Sequence, residues 1–206
     1  MARVKIEKIR DDIIALRPVY TDTGNATEIW LASGEVLLDD RGLKSVLNAL
    51  ARTYAIDLQA QRLGLEQSLH RSGVLPFYLG ARRVFIPLKM RRAITENDMV
   101  YGYIDLHYLD EIHQGEARDC RVRLTTGQDM ELLSSAATAI KSRHMGMMLL
   151  ESLDSCTANE EEEREIINMV LSLIRCFKEI GSSLQRIEEQ IAEANTEYRV
   201  NDDVEE

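Results

Sequence analysis

Residues 41–92 gather ten basic side chains: Arg41, Lys44, Arg52, Arg62, Arg71, Arg82, Arg83, Lys89, Arg91 and Arg92. Only Asp57 and Glu66 oppose them, so this stretch carries a net +8. The chemistry open to such a set is phosphate neutralisation, which needs cations on side chains long enough to reach and presented together. Elsewhere the balance reverses: residues 1–40 carry −3, residues 93–150 carry −4 and residues 151–206 carry −11, for −10 overall. The total therefore hides a basic middle that an isoelectric argument on the whole chain would miss. Arg82 and Arg83 precede a short apolar run, and Lys89, Arg91 and Arg92 close it. On a strand those two groups sit ~20 Å apart, a spacing suited to contacts across a groove. Arg121 and Arg123 alternate on one face of a further strand, and Lys141, Arg143 and His144 lie mid-helix within reach of the same field.

Catalysis finds less support. The four histidines are His70, His107, His113 and His144. His107 and His113 would share a strand face, yet their Cα atoms ~20 Å apart cannot ligate one metal. Asp105 and His107, two residues apart, are the nearest approach to a ligand pair. Glycine-rich phosphate loops, G-x-S-x-G and H-E-x-x-H are absent from the sequence, and Ser134-Ser135 has no associated base. The reading is of a protein without catalytic residues, metal or cofactor.

The elements that must present these cations follow from period and punctuation. Residues 1–15 set Val4, Ile6, Ile9, Ile13 and Ile14 among charges and allow a short helix or a strand. Ile29–Ala32 and Glu35–Leu38 flank Ser33-Gly34 as a β-hairpin. Asp39 or Asp40 is placed to cap a helix running to about Asp57, with Leu43, Val46, Leu47, Leu50 and Tyr54 as its apolar stripe. Arg41, Lys44 and Arg52 fall off that stripe, toward solvent. A second helical segment spans roughly Leu58–Arg71. Val74–Leu79 and Arg83–Leu88 read as strands of a meander, Val100–Ile112 as a long aromatic-rich strand, and Arg121–Leu124 with Met130–Leu133 as a hairpin turning at Gly127. Ser134 or Ser135 then caps a helix over Ala136–Leu153, with Ala139, Ile140, Met147, Leu149 and Leu150 as candidates to face the sheet. The fold class is α+β, mostly antiparallel sheet with packed helices, over residues 1–153.

Residues 154–206 form a separate acidic element. Ile166, Val170, Leu173, Phe177, Ile180, Leu184, Ile187, Ile191, Ala194 and Tyr198 alternate spacings of four and three, the seam of a coiled coil. Val170 to Ile191 are thus candidate dimerisation positions, and a homo-oligomer assembled through residues 166–198 is expected; the alternative is a long helix that packs this stripe on its own domain. The hydrophobic fraction of 45% is that of a globular protein. With no apolar run near the ~20 residues that cross a bilayer and three widely spaced cysteines, the expectation is a cytoplasmic protein with reduced thiols and no membrane partner.

The run Val74-Leu75-Pro76-Phe77-Tyr78-Leu79, then Arg83-Val84-Phe85-Ile86-Pro87-Leu88, the aromatic stretch from Tyr101 to Ile112, and Val122 to Leu132 resemble the ComK family of competence transcription factors. Pro76, Phe85, Pro87, Tyr103, Gly127, Met130 and Leu132 stand in that family's pattern, and the resemblance covers about residues 28–150. A LytTR-like DNA-binding sheet is a related possibility. The resemblance implies a transcriptional activator that binds promoter DNA as an oligomer, without a cofactor, and answers to a protein adaptor. The DNA-binding candidates are then Arg82, Arg83, Lys89, Arg91 and Arg92, with Arg121, Arg123, Lys141 and Arg143 as helpers. The alternative is a non-enzymatic interaction module in which the acidic helix, not DNA, occupies the basic surface.

Overall fold

Three apolar-rich runs separated by turns at Asp22-Thr23 and Ala32–Gly34 make up residues 13–39, and there the chain builds a meander. The computed structural model of the protein describes residues 3–69, 72–80, 82–115 and 120–155. A short helix α1 (Ile6–Ile9) leads into strands β1 (Ile13–Thr21), β2 (Gly24–Leu31) and β3 (Val36–Asp39). Helices α2 (Leu43–Thr53) and α3 (Leu58–Leu69) follow, then β4 (Phe77–Leu79), β5 (Arg83–Lys89) and β6 (Tyr101–Asp105). These six strands form one antiparallel sheet in the order β3-β2-β1-β6-β5-β4. A 3-10 turn (Leu106–Tyr108) leads to β7 (Leu109–Gln114), β8 (Cys120–Leu124) and β9 (Asp129–Leu132), a second antiparallel sheet. Residues 136–155 are helical, here α4. The fold is α+β, with two antiparallel sheets and helices on them. Among the described residues no helix is long and apolar enough to cross a membrane.

The large sheet has an apolar core on each face. Ile13, Leu16, Ile29, Phe77, Phe85 and Tyr103 meet α1 and the α2 stripe of Leu43, Val46, Leu47 and Leu50 on one side. Ile14, Ala15, Val84, Ile86, Leu88 and Ile104 meet β8, β9 and Ala139 of α4 on the other. One extra residue in β1, between Ile13 and Ala15, breaks the alternation and lets Ile14 and Ala15 both face the second core. β5 serves both cores and is buried from Val84 to Leu88, which is why its sequence is a continuous apolar run.

α4 lies lengthwise along β5. Ser142 Oγ donates to the Pro87 carbonyl at 2.8 Å, Gly146 crosses at Ile86, and Asp154 reaches Arg82. Pro87 is tolerated in this central strand because β4 begins only at Phe77, opposite Phe85, and leaves that side of β5 without a ladder at Pro87. The carbonyl freed there is taken by the helix.

Several expectations need correction. Neither Asp39 nor Asp40 caps α2: its N-cap is Gly42, with no side-chain hydrogen bond. Val100–Ile112 is not one strand. Asp105 Oδ1 accepts the His107 amide at 3.2 Å, turns the chain, and sends the two halves into different sheets. Of the residues expected to face the sheet, Ala139, Leu149 and Leu150 do, whereas Ile140 and Met147 are exposed. The hairpins at Gly34 and Gly127 form as expected, with φ of 86° and 81°. Asp57, not anticipated as a cap, accepts the Gln59 and Ala60 amides at the start of α3. The acidic segment and its dimerisation positions Val170, Leu173, Phe177, Ile180, Leu184, Ile187 and Ile191 lie outside the described residues.

A Cβ added at Gly146 would collide with the Ile86 side chain, whereas Gly64 on α3 has nothing within 4 Å. Gly146→Val is therefore expected to destabilise the protein by about 2 kcal/mol or more through overpacking. Gly64→Ala gains up to about 1 kcal/mol of helix propensity. Urea denaturation of the two variants beside the parent checks both signs.

Candidate functional site

The basic residues singled out by sequence divide sharply once placed. Arg83, at the start of β5, turns inward. Its Nε donates to Asp105 Oδ2 at 3.0 Å, its Nη1 to the Arg10 carbonyl at 3.0 Å and the Tyr54 hydroxyl at 2.9 Å, and its Nη2 to the Ile13 carbonyl at 2.5 Å. Asp105 is buried and the Arg83 side chain mostly so, and each nitrogen of the guanidinium has a partner. Arg91 is buried beyond the other end of β5. Its Nε donates to the Met99 carbonyl at 2.8 Å, Nη1 to the Val19 carbonyl at 2.8 Å and Nη2 to Asn25 Oδ1 at 2.7 Å, with the Tyr20 ring 4.0 Å from the guanidinium. These two arginines, central to the expected phosphate-binding set, have their donors taken up by the protein itself.

Arg121 and Arg123 do share one exposed face of β8. There Arg121 pairs with Glu131 at 3.1 Å and Arg123 with Asp129 at 2.9 Å, while His113 meets Glu111 at 2.8 Å. The outer face of the small sheet is thus a mosaic of opposite charges. Arg82 is 81% exposed and sits 3.6 Å from Asp154. Arg143 donates to the Asp110 carbonyl at 3.3 Å. Lys89, Arg92 and Lys141 have no side-chain partner among the described residues; Lys89 closes β5, Arg92 follows it and Lys141 lies exposed on α4.

Other basic residues, which sequence reasoning had left to solvent, do converge. On α2 the exposed positions Lys44, Ser45, Asn48 and Arg52 fall on one face, opposite the buried stripe. No acidic residue occurs in α2. Arg3 and Arg41 join Ser45, Asn48 and Arg52 around a groove of about 300 Å³. An adjoining groove adds Lys5 and one acid, Glu7. Arg41 is held in place from below: its Nη2 donates to Asp39 Oδ2 at 2.6 Å and to the Val4 carbonyl at 3.1 Å. The Val4 amide donates to Asp39 Oδ2 at 3.0 Å, closing a clamp between the N-terminal segment and the start of α2. Burial alone would raise the Asp39 pKa; the hydrogen bonds from Arg41 and Val4 outweigh it and hold the carboxyl below its ordinary value. The signal in the sequence was an amphipathic helix whose polar face lacks any carboxylate.

The Asp105–His107 pair is not left open for a ligand, since Asp105 accepts from Arg83 and from the His107 amide. Among the described residues no group of three or more His, Cys, Asp or Glu side chains could hold a metal ion. No protein-family model, curated protein or solved structure matches this chain.

Two outcomes follow from the buried pairs. Arg83→Met leaves the Asp105 carboxylate buried without its cation and is expected to cost roughly 3–5 kcal/mol. Arg83→Met with Asp105→Leu is expected to recover much of that loss, which a double-mutant cycle in urea measures. Asp39, with its lowered folded-state pKa, contributes stability that is complete above its unfolded value near 3.9 and is lost as pH falls below it. Asp39→Asn should therefore lower stability at neutral pH and flatten the acid limb between about pH 2 and 4, read from urea midpoints against pH.

Proposed function

We propose that this protein is a DNA-binding transcriptional regulator of the ComK-like kind, and that it meets DNA through the outer face of α2. The observation that carries this reading is the acid-free helix face of Lys44, Ser45, Asn48 and Arg52 beside the groove shared with Arg3 and Arg41. Eleven residues of helix are about 16 Å long, a fit to a major groove about 12 Å wide. Lysine and arginine supply phosphate contacts, while serine and asparagine supply the neutral donors and acceptors that read base edges. The N-terminus of α2 adds backbone amides without a side-chain cap, suited to a phosphate. Lys89, Arg92, Lys141 and Arg143 are secondary contacts in this reading, and Arg83 and Arg91 position the sheet that carries α2.

The contrasting reading, in which the basic surface receives the acidic segment, rests on the five basic and fourteen acidic residues of 156–206. Binding of a fluorescent promoter-length duplex to the full chain separates the two. We expect affinity that falls steeply between about 50 and 200 mM salt. Lys44→Glu with Arg52→Glu should flatten the log–log salt slope by about 2 and weaken binding at least tenfold. Absence of binding at low salt, or binding that the α2 pair leaves unchanged, overturns the α2 assignment.

A further inference from the structure

On the inner side of α2 and α3 lies a cavity of about 350 Å³, between those helices, β4, β6 and the segment before β6. Its walls are chiefly apolar, with Leu47, Leu58, Leu75, Phe77 and Val100 among them. Two polar groups stand out. Tyr103 lines the cavity and is only 8% exposed, its ring packed edge-on against Phe77 at 4.9 Å, and its hydroxyl has no partner among the described residues. Burial pushes its pKa up to about 12, against the opposing charge of Arg62, so the phenol keeps its proton and remains a donor. Arg62 reaches the same cavity from α3. Its Nε is engaged by Glu66 at 2.9 Å, and its Nη groups have no partner among the described residues.

Two further polar side chains of the wall, Gln61 and Asp98, are already engaged. Gln61 donates through Nε2 to the Tyr78 carbonyl and accepts the Tyr78 amide through Oε1. Asp98 accepts from Asn25 on one oxygen, and from Tyr20 and the Ile94 and Thr95 amides on the other. The cavity thus presents an apolar interior, one unpartnered donor and the Nη groups that Arg62 does not give to Glu66, while the oxygens of Gln61 and Asp98 are already engaged. A hydroxyl that opens into an apolar cavity without a protein partner is a donor that a ligand can take up. We propose that this cavity binds a small organic acid with an apolar chain or ring, its carboxylate held by the Tyr103 hydroxyl and the Arg62 guanidinium and its body among Leu47, Leu58, Leu75 and Phe77.

Octanoate serves as the probe, titrated calorimetrically into the full-length protein, with octylammonium and 1-octanol as controls. Saturable one-to-one binding of octanoate is expected, with 1-octanol weaker and octylammonium not bound. Tyr103→Phe, which keeps the ring and removes an unpartnered hydroxyl, should weaken octanoate about tenfold without lowering the thermal midpoint. Arg62→Gln should weaken octanoate by a similar factor and leave 1-octanol unchanged. No saturable binding of octanoate, equal binding of octylammonium, or an octanoate affinity that neither variant alters overturns the proposal. DNA is absent from these titrations, so the result stands apart from the outcome for the α2 face.

Discussion

The six-stranded sheet depends on two arginines that complete a short ladder. β1 and β6 pair at only two positions, Ala15 with Ile104 and Leu16 with Tyr103. On either side of that ladder the carbonyls of Ile13 and Val19 still need donors, and a buried carbonyl without one is costly. Arg83 supplies the first and Arg91 the second, each from one end of β5 and each reaching past β6 to do so. The guanidinium suits this task because it offers five N–H donors in a rigid plane. Asp105 balances the charge of Arg83, whereas Arg91 lies over the face of Tyr20 and among neutral acceptors.

That division explains why the charge of the basic window does not map onto one surface. Arg41, Arg83 and Arg91 are partly or wholly internal, Arg62 is tied to Glu66, and the free cations are spread over separate elements. What survives as a field open to a partner comes from a shorter piece of sequence, α2, where buried and exposed positions separate cleanly. The Asp39–Arg41–Val4 clamp fixes the entrance of that helix, so the groove between it and residues 3–5 has a defined lining.

Much of the fold was readable locally. Turn glycines, an apolar stripe at helical spacing and a serine cap each depend on residues within four or five positions, and the two hairpins, α2 and the start of α4 follow from them. The fate of the arginines was not readable, because Arg83 finds Ile13, 70 residues away, only when β6 fills the place between β1 and β5. Val100–Ile112 reads as one strand by composition, yet the Asp105 side chain captures the His107 amide and a single turn separates two sheets. On α4, Ala139 and Ile140 are neighbours about 100° apart, and apolar content alone does not choose between them. The absence of a side chain at Gly146 does choose, since it sets where the helix touches β5. The cavity behind Tyr103 has no sequence signature, because a missing hydrogen bond is visible only in three dimensions.

The two-pair junction between β1 and β6 also says something about how the molecule comes together. Each half of the large sheet, β1 to β3 and β4 to β6, is a run of strands that meet their own sequence neighbours. The junction joins Leu16 to Tyr103, more than half of the described chain apart in sequence, and chain closure over such a span is entropically expensive. The halves are therefore natural early assemblies and their union a late event, sealed when Arg83 and Arg91 reach across. By the same reasoning the native molecule opens most readily along this line, parting into two meanders before either one unravels.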